Sequence, residues 1–122
     1  CLAAFHHIPS KKLHAKTMSE LFRVLKPSGR AIISLWNVRA DYYQKKFNLN
    51  EKELHEGDLF IPWKDHEGIM MMDRYVHVFT LDELRDLAVN GGFEVEDIFY
   101  MSHGEKCASN DGHNLVCTLT KP

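Results

Sequence analysis

The sequence predicts an α/β fold: a sheet with a parallel βαβ unit, helices packed on it and an antiparallel closing strand. Three observations carry this. "CLAAF" and "RAIISLWN" are short, nearly continuous apolar runs, as expected of strands buried on both faces. An amphipathic helical segment lies between them, and strand–helix–strand with short joins is a βαβ unit with a right-handed crossover. Near the C-terminus two further strand-like runs follow one another with no helix between them, so they pair antiparallel.

The elements follow in order. Residues 1–5 read as a strand. Ser10 is placed to cap a helix. In that helix Met18, Leu21, Phe22 and Leu25 repeat at the spacing of one buried face. Pro27 and Gly29 end it, and the second strand begins at Arg30. Residues 38–73 hold aromatics and charges without a sustained period or clear structure, which predicts a lid or substrate-binding insert, or disorder. Within it "RADYYQKKF" (39–47) mixes basic and aromatic side chains. It fits either an amphipathic helix with a solvated basic face or an RNA-binding surface.

"RYVHVF" (74–79) reads as a short strand or an extended approach to the next helix. Thr80 and Glu83 form a capping box. Leu81, Leu84, Leu87 and Ala88 give the helix face, and Gly91-Gly92 stop it. "FEVEDIFYM" (93–101) and "HNLVCTLTK" (113–121) are the two last strands, joined by a polar loop.

Composition bounds the function classes. The chain has 122 residues, 44% apolar and 26% charged, as in one ordinary globular domain. A formal net charge of -2 gives no global attraction to nucleic acid. Cys1, Cys107 and Cys117 form no CxxC pair, which points to free thiols in a reducing, cytoplasmic compartment. No apolar run is long enough to span a bilayer. The eight histidines have no zinc-site spacing, so no metal site is expected. "GxGxxG" and the P-loop signature are both absent.

"AFHHIPS…ELFRVLKPSGRAIISLWN" resembles the fourth and fifth strands, with the helix between them, of the class I S-adenosylmethionine-dependent methyltransferases. The resemblance covers essentially the whole chain. It implies the C-terminal half of a Rossmann-like sheet: strands four, five, six and seven, with the antiparallel seventh between five and six. "CLAAFHHIPS" is then expected to continue a domain whose cofactor-binding half precedes residue 1.

A narrower match is carried by "GDLFIPW" (57–63), "RYVHVF" (74–79) and "HNLVC" (113–117). They are similar to phrases of the tRNA wobble-uridine carboxymethyl O-methyltransferases, which have Asp-x-x-x-Pro-Trp, Arg-Tyr-x-His and a late Asn in this order. Val76 stands where that family has a second aromatic. "GHNLV" keeps Asn114 without the family's following aromatic pair. The resemblance implies S-adenosyl-L-methionine as cofactor, tRNA as substrate and a small zinc-binding activator protein as partner.

The residues themselves suggest roles. A carboxylate acceptor is already ionised at neutral pH and needs no general base. It needs a grip, and the Arg74 guanidinium can hold it in a planar fork. A phenol or amine acceptor would need a base, for which His6, His7 and His77 are the candidates. His6 and His7 end a parallel strand, where open α/β sheets bind ligands. His6 is taken as the one facing the site and, with Phe5, as cofactor-contacting. Trp36 and Asn37 end the second strand at the same edge. With Tyr75, Trp63 and Asn114 they are the substrate-binding candidates. On a strand Tyr75 and His77 share one face and Arg74 lies on the other. That is a tension for a single site built from all three. Two rival readings remain: a small-molecule O- or N-methyltransferase of the same fold, and a non-catalytic half-domain that serves as an interaction module.

Overall fold

The computed structural model describes all 122 residues. A four-stranded sheet has the order β1 (Arg30–Trp36), β6 (Asn114–Thr120), β4 (Glu94–Ser102), β5 (Glu105–Cys107). β6 runs antiparallel to both β1 and β4, which is the expected seventh strand between five and six. α1 (Lys11–Val24) and α4 (Leu81–Asn90) pack on one face of this sheet. Met18 of α1 and Leu84 and Ala88 of α4 share a fully buried core with Ile33, Leu35, Cys117 and Leu119.

The helices form where the spacing places them. The Ser10 hydroxyl accepts the Leu13 N–H at 3.4 Å and starts α1. Leu21, Phe22 and Leu25 extend the Met18 face, although Leu25 is the cap residue just past the helix. Gly91 ends α4 where it meets α1 so closely that a Cβ there would lie 2.6 Å from Met18 Cγ.

Three expectations are corrected. Residues 1–5 are not a full strand. Cys1–Ala3 pairs in parallel with β1 at a single bridge, Leu2 to Ser34. Ala3 then takes a left-handed φ of 50°, and Phe5–His7 closes a 3-10 turn that drops the Phe5 ring into the core. The direction of the βαβ unit stands, but the strand is cut short.

Burial on both faces also fails. Ala31, Ile33 and Leu35 lie across the ladder from Leu119, Cys117 and Leu115, all part of the core or packed on it, whereas Ile32 is half exposed. Both large helices cover the same face. The polar loop between the last two strands also contains β5, which hydrogen-bonds the end of β4 as a short hairpin.

The third correction concerns residues 38–73, which are well structured. They form two short helices, α2 (Asp41–Phe47) and α3 (Glu51–Glu56), and β2 (Asp58–Lys64). β2 pairs antiparallel with β3 (Met70–His77), so "RYVH" belongs to a long hairpin strand. Asn50 and Glu53 make a complete capping box at α3. These pieces enclose their own buried cluster, which includes Tyr43, Leu54, Leu59, Ile61 and Val76. No helix is long and apolar enough to cross a membrane.

Candidate functional site

β3 is the hinge of the site because its alternate side chains face different neighbours. On one face, the Arg74 guanidinium lies against two indoles. Its Cζ is 5.2 Å from the Trp36 ring centre and 5.5 Å from that of Trp63. Cation–π contact with two rings restrains the fork. The Arg74 Nε is buried and has no hydrogen-bond partner.

His6 packs on the same Trp36, with ring centres 4.9 Å apart, and on His7 at 4.2 Å. It is fully buried. Its Nδ1 accepts the Trp36 backbone N–H at 3.4 Å, so the proton of the neutral ring sits on Nε2. That Nε2 has no partner. Burial, then the neighbouring His7, then Arg74 push the His6 pKa down to about 3. His6 is therefore a neutral donor at ordinary pH. His7 is half buried, and its Nδ1 donates to the Tyr75 carbonyl at 2.8 Å, tying the 3-10 turn to β3.

On the opposite face of β3, Tyr75 and His77 converge on Asp58 of β2. The Tyr75 hydroxyl donates to Asp58 Oδ1 at 2.5 Å, and His77 Nδ1 donates to the same oxygen at 2.8 Å. His77 Nε2 faces Glu83 Oε1 of α4, also at 2.8 Å. The hydrogen bonds from His77 and then Tyr75 hold the Asp58 carboxyl below the usual range. Burial and Asp58 push the Tyr75 phenol up to about 12. The His14 ring of α1 packs at a tilt against His77, 4.9 Å between centres, and donates to the Ile8 carbonyl at 2.6 Å; burial lowers its pKa.

The expected split across β3 is thus present. Arg74, His6, Trp36 and Trp63 come together on one side. Tyr75 and His77 are held on the other, and no nitrogen of His77 is free to take a substrate proton. Phe5 is fully buried among His14 and Phe79, so its side chain reaches no surface. The Asn37 amide donates to the carbonyls of Asn110 and Gly112, at 2.8 Å each, and its donors are spent on the 102–112 loop. Asn114 pairs with Trp36 across the ladder, at the site's edge.

Sequence reasoning missed Asp58, Glu83 and His14 as partners of the site. Asp58 opened the "GDLFIPW" phrase, and Glu83 was assigned to the cap. The Thr80 hydroxyl does accept the Glu83 N–H at 3.1 Å, but the Glu83 carboxylate turns to His77 instead of closing the box.

No family model matches the chain. Over 96 residues it is 27% identical to a presumed methyltransferase of Encephalitozoon cuniculi, covering 79% of this chain and 43% of that protein. Over 58 residues it is 33% identical to the mouse tRNA (carboxymethyluridine(34)-5-O)-methyltransferase ALKBH8, covering 47% of this chain and 9% of that protein. Among solved structures, an S-adenosylmethionine-dependent methyltransferase of Methanosarcina mazei matches with TM-score 0.64 and 23% identity, over 99% of this chain and 57% of its own. One of Clostridium acetobutylicum matches with TM-score 0.66 and 10% identity, over 99% and 56%. The chain has the α/β fold of these methyltransferases and spans about half the length of the proteins it matches or less.

Proposed function

We propose that the chain is the C-terminal part of an S-adenosylmethionine-dependent methyltransferase that esterifies the carboxylate of 5-carboxymethyluridine at the wobble position of tRNA. Residues 38–73 form its substrate-side lid. One observation carries the reading. The two buried side-chain polar atoms left without partners, Arg74 Nε and His6 Nε2, belong to side chains packed on the same Trp36 ring. Buried donors are costly to leave unpaired, so a ligand acceptor is the natural complement. Two cation–π contacts pre-orient the Arg74 fork for a carboxylate. The mouse relative's name supports the nucleoside.

The residues present fit the substrate-facing side of the cofactor. The chain has no glycine-rich turn, so what it offers there is the His6–His7 turn. Burial keeps His6 uncharged, so it does not repel a sulfonium. When bound, the cofactor would supply an electrophilic methyl group, whose transfer to the carboxylate oxygen would leave the sulfur–carbon electron pair on sulfur and need no proton transfer. Arg74 holds the acceptor in line, His6 donates to it, and Trp63 covers it from the hairpin. Such alignment supplies much of the rate gain in a bimolecular displacement.

The test uses the full-length protein and tRNA with or without the 5-carboxymethyl group. Methyl ester should form only on the first, with a rate that is flat through pH 6–7 because no histidine acts as base. Arg74→Lys should lower kcat/KM by about 100-fold, through loss of the planar fork. Equal methylation of both tRNAs would refute the substrate. A basic limb near the ordinary histidine pKa of ~6.5 would point instead to a phenol or amine acceptor.

A further inference from the structure

The structure assigns His77 a positioning role. We propose that its ring, held between Asp58 and Glu83, is the latch that fixes the β2–β3 hairpin to the helices and so sets Arg74 and Trp63 over Trp36 and His6. The catalytic readout rests on the proposed reaction; the structural readout does not.

His77 stands where the two buried clusters meet. Val76 and Val78, its chain neighbours, belong to the insert cluster, while Phe79, whose ring is 4.5 Å away, belongs to the sheet cluster. The ring is almost fully buried, yet it faces ionisable groups from every element around it. These are Asp58 from β2, Tyr75 from β3, Glu83 from α4 and His14 from α1. A groove of about 530 Å³ runs along the two carboxylates, with Lys11, Arg39, His55, Glu56 and Asp86 also on its walls. One end of the latch is therefore wet and charged, and the other is dry.

Strand geometry couples the two faces of β3. Successive side chains of β3 point to opposite faces. Fixing His77 and Tyr75 on one face fixes the direction of Arg74 on the other. Between Trp63 and Lys64 the hairpin ladder loses register, and its tip, Ile69–Met72, is largely exposed. The hairpin is thus anchored at its base. Besides the His77–Glu83 contact, that base has the Val78 N–H donating to the Gly57 carbonyl at 2.8 Å and the His7–Tyr75 tie. Release of His77 would remove the side-chain anchor at the base and leave the fork oriented by its two indoles and the backbone ties to Gly57 and His7. Hydrogen bonds to charged groups are the strong ones in such a network, so two carboxylates make a firm anchor.

The test compares wild type, His77→Gln and Glu83→Ala in the full-length protein. Two readouts are taken: amide hydrogen exchange across residues 58–77, and methyl transfer to carboxymethylated tRNA. In His77→Gln the hairpin amides should exchange roughly tenfold faster while β4 and β6 keep their protection. kcat should fall about tenfold, with KM for S-adenosylmethionine unchanged. Glu83→Ala removes one contact from the half-exposed side of α4, keeps the helix, and should show the same pattern more weakly; it serves if His77→Gln does not fold. Asp58→Asn keeps an acceptor oxygen and should retain more activity than Asp58→Ala. Hairpin exchange unchanged in both His77→Gln and Glu83→Ala overturns the proposal. So does activity lost with exchange unchanged, which would place His77 on the substrate. A wild-type protein that ignores the carboxymethyl group refutes the proposed substrate and leaves the exchange result to decide the latch.

Discussion

The sheet core and the insert core are built by different means. The sheet core gathers 11 buried residues, most of them from long elements with clear periods, α1, β1, α4 and β6, around the 3-10 turn. The insert core gathers 8 from α2, α3, the hairpin and the turns beside them, and its two helices have only seven and six residues. Helices that short are marginal alone and depend on tertiary packing. The site lies where the cores meet. Trp36 packs against the insert cluster from the end of a sheet strand, and Arg74 reaches Trp36 from the insert. A rigid half presents His6 and Trp36, and a half held by fewer, shorter elements brings Arg74 and Trp63 to them.

Damage to one core at a time should separate the two halves most strongly. Leu84 and Ile61 are each fully buried, one in each cluster. Leu84→Ala should cost about 3–5 kcal/mol of global stability, by lost transfer energy plus a cavity. Ile61→Ala should cost about 2–4 kcal/mol by the same rule. Its loss should appear first as faster exchange in residues 41–77 while the sheet stays protected. Chemical denaturation with exchange mass spectrometry separates the two. A single transition with equal loss in both regions would show that the cores are one cooperative unit.

Acid acts first on the buried histidines of the site. His6 has a folded pKa of about 3 against an ordinary value near 6.5. As pH falls below ~6.5 the unfolded chain takes a proton that the folded one refuses, so stability drops by roughly 1.4 kcal/mol per unit until about pH 3. His14, also lowered by burial, adds in the same direction. Asp58 is depressed, so its contribution is present above its unfolded value and is lost as pH falls through its lower folded one. Both effects make acid destabilising, but in different windows. His6→Gln should flatten the slope between pH 6 and 4 and leave the loss below about pH 3 in place. An unchanged slope between pH 6 and 4 would mean that His6 does not reach its burial cost.

What was legible in the sequence follows the same division. Met18, Leu84 and Ala88 were readable because a 3.6-residue period survives only where one helix face is buried. The antiparallel closing strand was readable because no helix separated it from its neighbour. The insert was opaque because α2 and α3 are too short to show a period, and because β2 and β3 extend beyond the body, so that Phe60, Trp63 and Met70–Met72 are exposed apolar residues. The alternation of Arg74 against Tyr75 and His77 was legible as a conflict, and the structure resolves it by using both faces. Glu83 was hidden because its backbone is capped by Thr80 while its carboxylate bonds elsewhere. A side chain's final partner across 6 residues and a strand boundary leaves no local pattern.

The smallest expected effect probes the hairpin alone. Trp63 and Trp36 lie against the same guanidinium at nearly the same distance, but Trp63 is half exposed and Trp36 packs into the insert cluster. A cation–π contact open to water is worth about 0.5–1 kcal/mol, and a desolvated one about 2 or more. Trp63→Ala should therefore lower the methylation rate only about two- to fivefold, and stability by less than about 1 kcal/mol, because it removes one ring contact of Arg74 without opening a core. Trp36→Ala removes the seat of Arg74 and His6 together, and its loss should exceed the Trp63 loss in both measures. Thermal unfolding and initial rates on the two variants decide this. A Trp63 effect as large as that of Trp36 would show that the less anchored half of the molecule, rather than the sheet, shapes the acceptor site.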